Sequence, residues 1–305
     1  RGSHPAGETL HLKKGEIMKG FDFLAPESLN AALRAISKKG RNYKLLAGGT
    51  NVVPDLREGK ISQQLIVDLS GIKALKYIKE EKGTVKIGAL VTIAELLKSR
   101  IIKKHAPVLW EASYKFAGPL VRNRATVGGN LVDASPAADT AVPLLALKAQ
   151  VKLRSLKGQR TVSLDNFFTD YRKTMIRAGE ILTEVAFPIP SRGTKQGYHK
   201  VGRRNSMAIS VVSIAVVLNM NGNTCSDASI GLGAVARVPF RVVSAEALLR
   251  GERVDLELAR KCGELAAESV KPIDDIRASA EYRRLMCEVW VRRIISQILE
   301  LETQV

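Results

Sequence analysis

Residues 122–147 read RNRATVGGNLVDASPAADTAVPLLAL. A pattern of small residue, Gly-Gly and polar residue, Thr126 to Asn130, sits near its start, and the apolar content of residues 137–149 suggests a helix after it. The same pattern occurs upstream as LAGGT at 46–50, where it ends the short apolar run NYKLL. Glycine lacks a Cβ, so backbone amides beside it can approach a ligand and left-handed conformations cost little. Successive N–H groups in such a turn make an anion-binding concavity. One concavity suits one phosphate, and two could clasp a diphosphate from both sides. Thr50 and Thr126 would add hydroxyls there, and Asn51 and Asn130 amides. A single Gly-Gly turn is most often only a turn, but the pair points to a dinucleotide.

Other dinucleotide motifs fail on context. GLGAVA at 231–236 fits G-x-G-x-x-A, but it should open a helix and instead runs as a strand toward Pro239. No P-loop is present. The formal charge is +18, from 48 Lys and Arg against 30 Asp and Glu. Such an excess permits attraction to nucleic acid, an acidic protein or an anionic ligand. The charge is spread along the chain, without zinc-finger spacing or an RNP-type motif, and aromatics at 5% are too few for an obvious base-stacking platform. The bland reading is a solvated basic surface with one docking face.

Cys225, Cys262 and Cys287 are far apart and include no CxxC pair, so they cannot by themselves build a four-thiolate cluster or zinc site. They read as small buried hydrophobes and suit a reducing cytoplasm. The longest apolar runs, such as AISVVSIAVVL at 208–218, are too short to span a bilayer. RGSH at the start resembles the remnant of an expression tag, and Met18 looks like a natural start. Residues 1–17 are therefore set aside from the fold.

Ser28 caps an expected helix over 26–40 that Gly40 stops. Strands are expected at 42–46 and 64–70, a hairpin turning at Lys82-Gly83, and helices over 92–118 separated near Pro107. A second hairpin is expected around Lys157-Gly158. Residues 165–190 suggest a helix, a turn at Gly179 and a strand ending at Pro188. SRGTKQG at 191–197 is the best boundary candidate. Strands at 209–220 and 226–236 precede helices to the end, an α+β order.

The 122–147 stretch resembles the FAD-binding signature of the molybdenum hydroxylases, the xanthine dehydrogenase, carbon monoxide dehydrogenase and aldehyde oxidoreductase group. LLAGGTNVVP, GEILTEVAFP, YHKVGRR and ASIGLGAVARVPFRVVSAEALL extend the resemblance from about Lys19 to near Leu301. It implies an α+β fold: a two-subdomain FAD-binding module of the vanillyl-alcohol-oxidase type, then a C-terminal domain of sheet plus helices. The domains implied are 18–192, split near 74, and 193–305. Carried over by position, Leu45, Leu46, Ala47, Gly48, Gly49, Thr50, Asn51 and Val52 would form the first pyrophosphate loop. Thr126, Val127, Gly128, Gly129 and Asn130 would form the second. Phe116, Asp139, Leu182 and Lys200 match further flavin-contacting positions. Asp139 could accept hydrogen bonds from ribose hydroxyls, and Lys200 could supply positive charge to a reduced flavin. The Cys-rich insertion that holds a 4Fe-4S centre in some relatives is absent, and NSMAIS follows KVGRR where many relatives place an Asp.

The resemblance implies an FAD-binding electron-transfer subunit with a molybdopterin large subunit and a small subunit holding two 2Fe-2S clusters. The implied assembly is a heterotrimer, or a dimer of heterotrimers. Electrons would reach FAD here and leave to NAD+ or another acceptor, with no acid, base, nucleophile or metal required of this chain. The alternatives are a self-contained flavoprotein oxidoreductase with a similar fold and, from the charge alone, a basic nucleic-acid-binding protein. The first needs its own substrate cavity, and the second predicts steep salt dependence and no bound flavin.

Overall fold

The computed structural model describes residues 20–38, 42–204 and 207–301. Residues 1–17 and the expected stop at Gly40 lie outside the described residues. The chain opens with strand β1 (Asp22–Leu24), helix α1 (Leu29–Ile36), strand β2 (Tyr43–Leu46), helix α2 (Val52–Arg57) and strand β3 (Leu65–Asp68). The strands form a parallel sheet in the order β1-β3-β2. The middle place goes to LIVD of β3, whose run of apolar residues is what a strand covered on both faces requires. Ser28 caps α1 by accepting from the Ala31 amide. Ala32, Leu33 and Ile36 of that helix pack with Leu65 and Val67.

After a 3-10 turn at Lys73–Leu75 come strands β4 (Ile78–Glu81) and β5 (Thr84–Gly88). Lys82 and Gly83 between them both have positive φ, 50° and 72°, as a two-residue type I′ hairpin demands. Helices α3 (Ile93–Lys98), α4 (Arg100–His105) and α5 (Pro107–Tyr114) follow. The helical stretch breaks at Ser99 as well as before Pro107, because the Ser99 hydroxyl accepts from Ile102 N and starts a new helix. Next come α6 (Pro119–Arg122), α7 (Val127–Asp133), α8 (Ala141–Ala146) and the hairpin β6 (Gln150–Ser155) and β7 (Gly158–Ser163).

The helix expected just after residue 165 is absent. A 3-10 turn at Leu164–Asn166 leads into a small hairpin, β8 (Phe168–Asp170) and β9 (Lys173–Thr174). The adjacent Phe167 and Phe168 are both buried, and Met175 N donates to Phe167 O as the chain folds back on itself. Strand β10 (Ile181–Pro188) then takes the centre of an antiparallel five-stranded sheet ordered β4-β5-β10-β6-β7.

The last third holds β11 (Thr194–Val201), β12 (Val212–Asn221), β13 (Thr224–Gly233) and β14 (Phe240–Arg241), antiparallel in that order. Helices α9 (Val243–Leu249), α10 (Leu256–Ser269) and α11 (Ala280–Ile298) complete the chain. Gly263 lets α10 and α11 cross closely, since a Cβ there would lie 2.5 Å from the Glu288 carbonyl. All three cysteines are buried and free. The GLGAVA run ends strand β13 at Gly233 and then bends without opening a helix, and its glycines serve packing. A Cβ on Gly231 would sit 2.6 Å from Val142 O, and one on Gly233 2.5 Å from the Val142 side chain. Helix α8 thus lies directly on the last sheet. Among the described residues no helix is long and apolar enough to cross a membrane.

Candidate functional site

The first Gly-Gly loop leaves β2 where Leu46 O accepts from Leu69 N. Gly49 adopts φ +76°. The loop's carbonyls are engaged by the next helix, with Val53 N bonded to Gly49 O and Asp55 N to Asn51 O. Among the described residues no acceptor faces the amides of Gly48, Gly49, Thr50 and Asn51. Asn51 stands at the helix start without using its side chain as a cap. Unpaired donors in a left-handed turn make the anion concavity that the sequence suggests.

The second loop is built differently. Thr126 caps α7, its Oγ1 accepting from Gly129 N at 3.0 Å. Val127 N bonds to Val91 O, Gly128 N to Ala89 O and Asn130 N to Thr126 O. All four amides are therefore spent inside the protein, and the expectation of two matching concavities is corrected to one. The glycines here serve close approach. A Cβ on Gly128 would lie 2.7 Å from Ala89 O, and one on Gly48 only 1.9 Å from Arg124 O. A Cβ on Gly129 would stand 3.9 Å from that of Ala47. The missing side chains are what bring the two loops together.

Between the loops runs a cavity of about 490 Å³. Leu45, Ala47 to Val52, Phe116, Thr126, Gly128 to Asn130, Asp139 and Leu182 line it. Leu46, Val127 and Lys200 do not. Leu46 follows Leu45 on a strand and projects to the opposite face. Val127 is fully buried beneath the second loop.

Lys200 stands behind Asp139. Its Nζ donates to Asp139 Oδ2 at 2.7 Å and to Lys115 O at 3.1 Å, and its side chain is 5% exposed. Ser210 Oγ donates to Asp139 Oδ1 at 2.7 Å. Burial pushes the Asp139 carboxyl upward, while Lys200 and Ser210 pull it down. The expected positive charge facing the cofactor is thus spent on a carboxylate, because a buried acid requires a partner. Asn130 is fixed too: its Oδ1 accepts from Thr140 N and, at 2.6 Å, from Thr140 Oγ1, leaving its amide donors for other partners.

Sequence reasoning missed several lining residues: Lys44, Arg172 and the apolar run Met207 to Ile209. Met207 and Ile209 are 57% and 63% exposed at the rim. Their only local signal is an apolar run in a segment with no periodicity. Arg172 carries no signal that separates it from other surface arginines. Among the described residues no group of His, Cys, Asp and Glu could hold a metal ion.

The comparisons agree with this geometry. Residues 19–190 match the family model described as the FAD binding domain in molybdopterin dehydrogenase, and residues 197–298 match the CO dehydrogenase flavoprotein C-terminal domain. The carbon monoxide dehydrogenase medium chain of Hydrogenophaga pseudoflava is 31% identical over 276 residues, 90% of this chain and 96% of that one. The xanthine dehydrogenase FAD-binding subunit of Escherichia coli O157:H7 is 30% identical over 281 residues, 91% and 96% of the two chains. The solved structure of carbon monoxide dehydrogenase from Hydrogenophaga pseudoflava superposes with a TM-score of 0.90 at 31% identity, covering 93% of this chain and 99% of that one.

Fold and cleft define an α+β dinucleotide-binding flavoprotein with a second, C-terminal domain. The chain belongs to the FAD-binding medium-subunit family of the molybdenum hydroxylases, an oxidoreductase family. FAD is its cofactor, and the residues present fit it. The glycine cradle leaves no room for a Cβ, four amides stand unpaired beside it, and the cavity volume is in the range of ligand pockets.

Proposed function

We propose that this chain is an electron-transfer subunit, taking electrons from 2Fe-2S clusters of a small partner subunit and releasing them to NAD+ or another acceptor. FAD supplies the one- and two-electron chemistry, and the protein supplies position and electrostatics. The amides of Gly48 to Asn51 bind the diphosphate. The capped start of α7, with Thr126 and Asn130, forms the facing wall. Leu45 and Leu182 pack against the cofactor, and Phe116 covers it from the α5 side. Asp139 presents its carboxylate, with Lys200 balancing that charge from behind and Ser210 fixing its orientation.

A molybdopterin-binding large subunit completes the proposed assembly. The name "medium chain" borne by the Hydrogenophaga relative supports a set of three chains. The net charge of +18 favours an acidic docking partner. Residues 18–192 would act as the FAD domain and 193–305 as the domain that buttresses it. The proposed setting is cytoplasmic, in keeping with three free thiols.

One observation carries this reading: two Gly-Gly loops, about eighty residues apart in sequence, close on one cavity. The test is a visible absorption spectrum of the purified chain before and after incubation with FAD. Flavin bands that vanish on reduction by dithionite and return on adding NAD+ are expected. A colourless chain that takes up no FAD sinks the proposal, and a flavin reoxidised by oxygen but not by NAD+ redirects it to another acceptor.

A further inference from the structure

Arg172 is one of the cleft residues that the resemblance leaves unassigned. It sits in the turn between β8 and β9, with φ +53°. Its amide donates to Ala134 O, at the end of α7, so the turn is fastened to the helix that the second Gly-Gly loop starts. The turn is held from its other side as well, where Asp170 accepts from both Tyr171 N and Arg237 Nε. A fastened turn carries a side chain that is itself loosely engaged. The guanidinium is 47% exposed and makes one ion pair with Asp133 at a long 3.4 Å.

The electrostatics of the cleft are unbalanced. Its charged lining residues are Lys44, Arg172, Asp133 and Asp139. Lys200 neutralises Asp139 from behind, which leaves two cations against Asp133. Arg172 lines the same cavity as Gly48 to Asn51 of the first loop. On that loop four amides point to no protein acceptor. An array of donors and cations without an anion is a site for one, and a planar guanidinium matches phosphate oxygens two at a time.

We infer that Arg172 binds the diphosphate of FAD from the wall that faces the first Gly-Gly loop, exchanging its long contact with Asp133 for charge-assisted bonds to phosphate. The inference rests on the reading of the cleft as the FAD site. It adds a residue from the second subdomain, so diphosphate binding would tie the two subdomains together.

The full-length apo chain and its Arg172→Gln, Arg172→Lys and Asp133→Asn variants are titrated with FAD, ADP and riboflavin by calorimetry. Arg172→Gln is expected to weaken FAD and ADP roughly tenfold to hundredfold, the range for a lost charge-assisted bond, and to leave riboflavin unchanged. Arg172→Lys restores part of the loss. Asp133→Asn, which frees the guanidinium without touching it, tightens FAD relative to riboflavin. An FAD-to-riboflavin affinity ratio that stays constant across the variants overturns the assignment. So does intact FAD affinity with impaired binding of NAD+ to the loaded chain, which would give Arg172 to a second nucleotide. A wild-type chain that binds neither FAD nor ADP defeats the reading of the cleft itself, and the inference with it.

Discussion

At Gly48 the geometry of the site turns on one absent methyl group. A Cβ there would meet the Arg124 carbonyl at 1.9 Å, and backbone on both sides prevents relief by a rotamer change. Gly48→Ala is therefore expected to push the loops apart, costing about 1–3 kcal/mol in stability and at least about tenfold in FAD affinity. Gly71→Ala is the control, since no atom lies within 4 Å of its Cβ position. It should stay within about 0.5 kcal/mol of wild type. Equal behaviour of the two variants in denaturant titration would sink the close-approach account. Gly128 makes a similar close approach to Ala89 after β5, so glycines seat the second loop against the rest of the cleft as well.

Among the elements, the seam between β11 and α11 carries the clearest pH dependence. His199 of β11 stacks on Trp290 of α11 with ring planes 9° apart, and Arg293 lies over the same indole. Burial first, then the positive charges of Lys115 and Arg293, lower the imidazole from 6.5 to about 4. Between those values the unfolded chain binds a proton that the folded chain refuses. The stability from a neutral His199 is thus fully present above about pH 6.5 and is lost as the pH falls toward 4. His199→Phe keeps the stack and removes the titration. Its melting temperature should fall less steeply between pH 6.5 and 4 than that of wild type, and parallel slopes would disprove the assignment. The neighbour on the strand, Lys200, faces the other way onto Asp139, so one strand carries both the seam and the charge behind the cleft.

For the whole molecule, the decisive feature is a core that ignores the boundary near residue 192. Tyr198, Ala215 and Val217 of the last sheet belong to the same apolar cluster as Val142 and Leu144 of α8 and Val108 of α5. Ala234 N, which donates to Pro136 O, and Lys200, which donates to Asp139, add polar ties across that boundary. The two parts should therefore unfold together. Far-ultraviolet circular dichroism and the release of flavin fluorescence are expected to share one thermal midpoint, and excess FAD should raise it. Two separated transitions would show that the shared core does not couple them.

Much of this protein was legible locally. The Lys82-Gly83 turn, the Ser28 cap, the central strands and both Gly-Gly loops rest on preferences of residues close in sequence, which periodicity and turn chemistry report directly. The helix expected after residue 165 failed where two adjacent buried phenylalanines took a short turn and hairpin instead. Sequence by itself determined the family, the order of most elements and the two Gly-Gly loops at the cleft. Only the tertiary structure decided that the second loop spends its amides on Ala89 and Val91, and that Lys200 answers Asp139, 61 residues away. The same holds for Arg172 and the 207–209 rim at the cleft. These features depend on which buried groups lack a partner once the chain has closed, a property of the packed whole that no local pattern encodes.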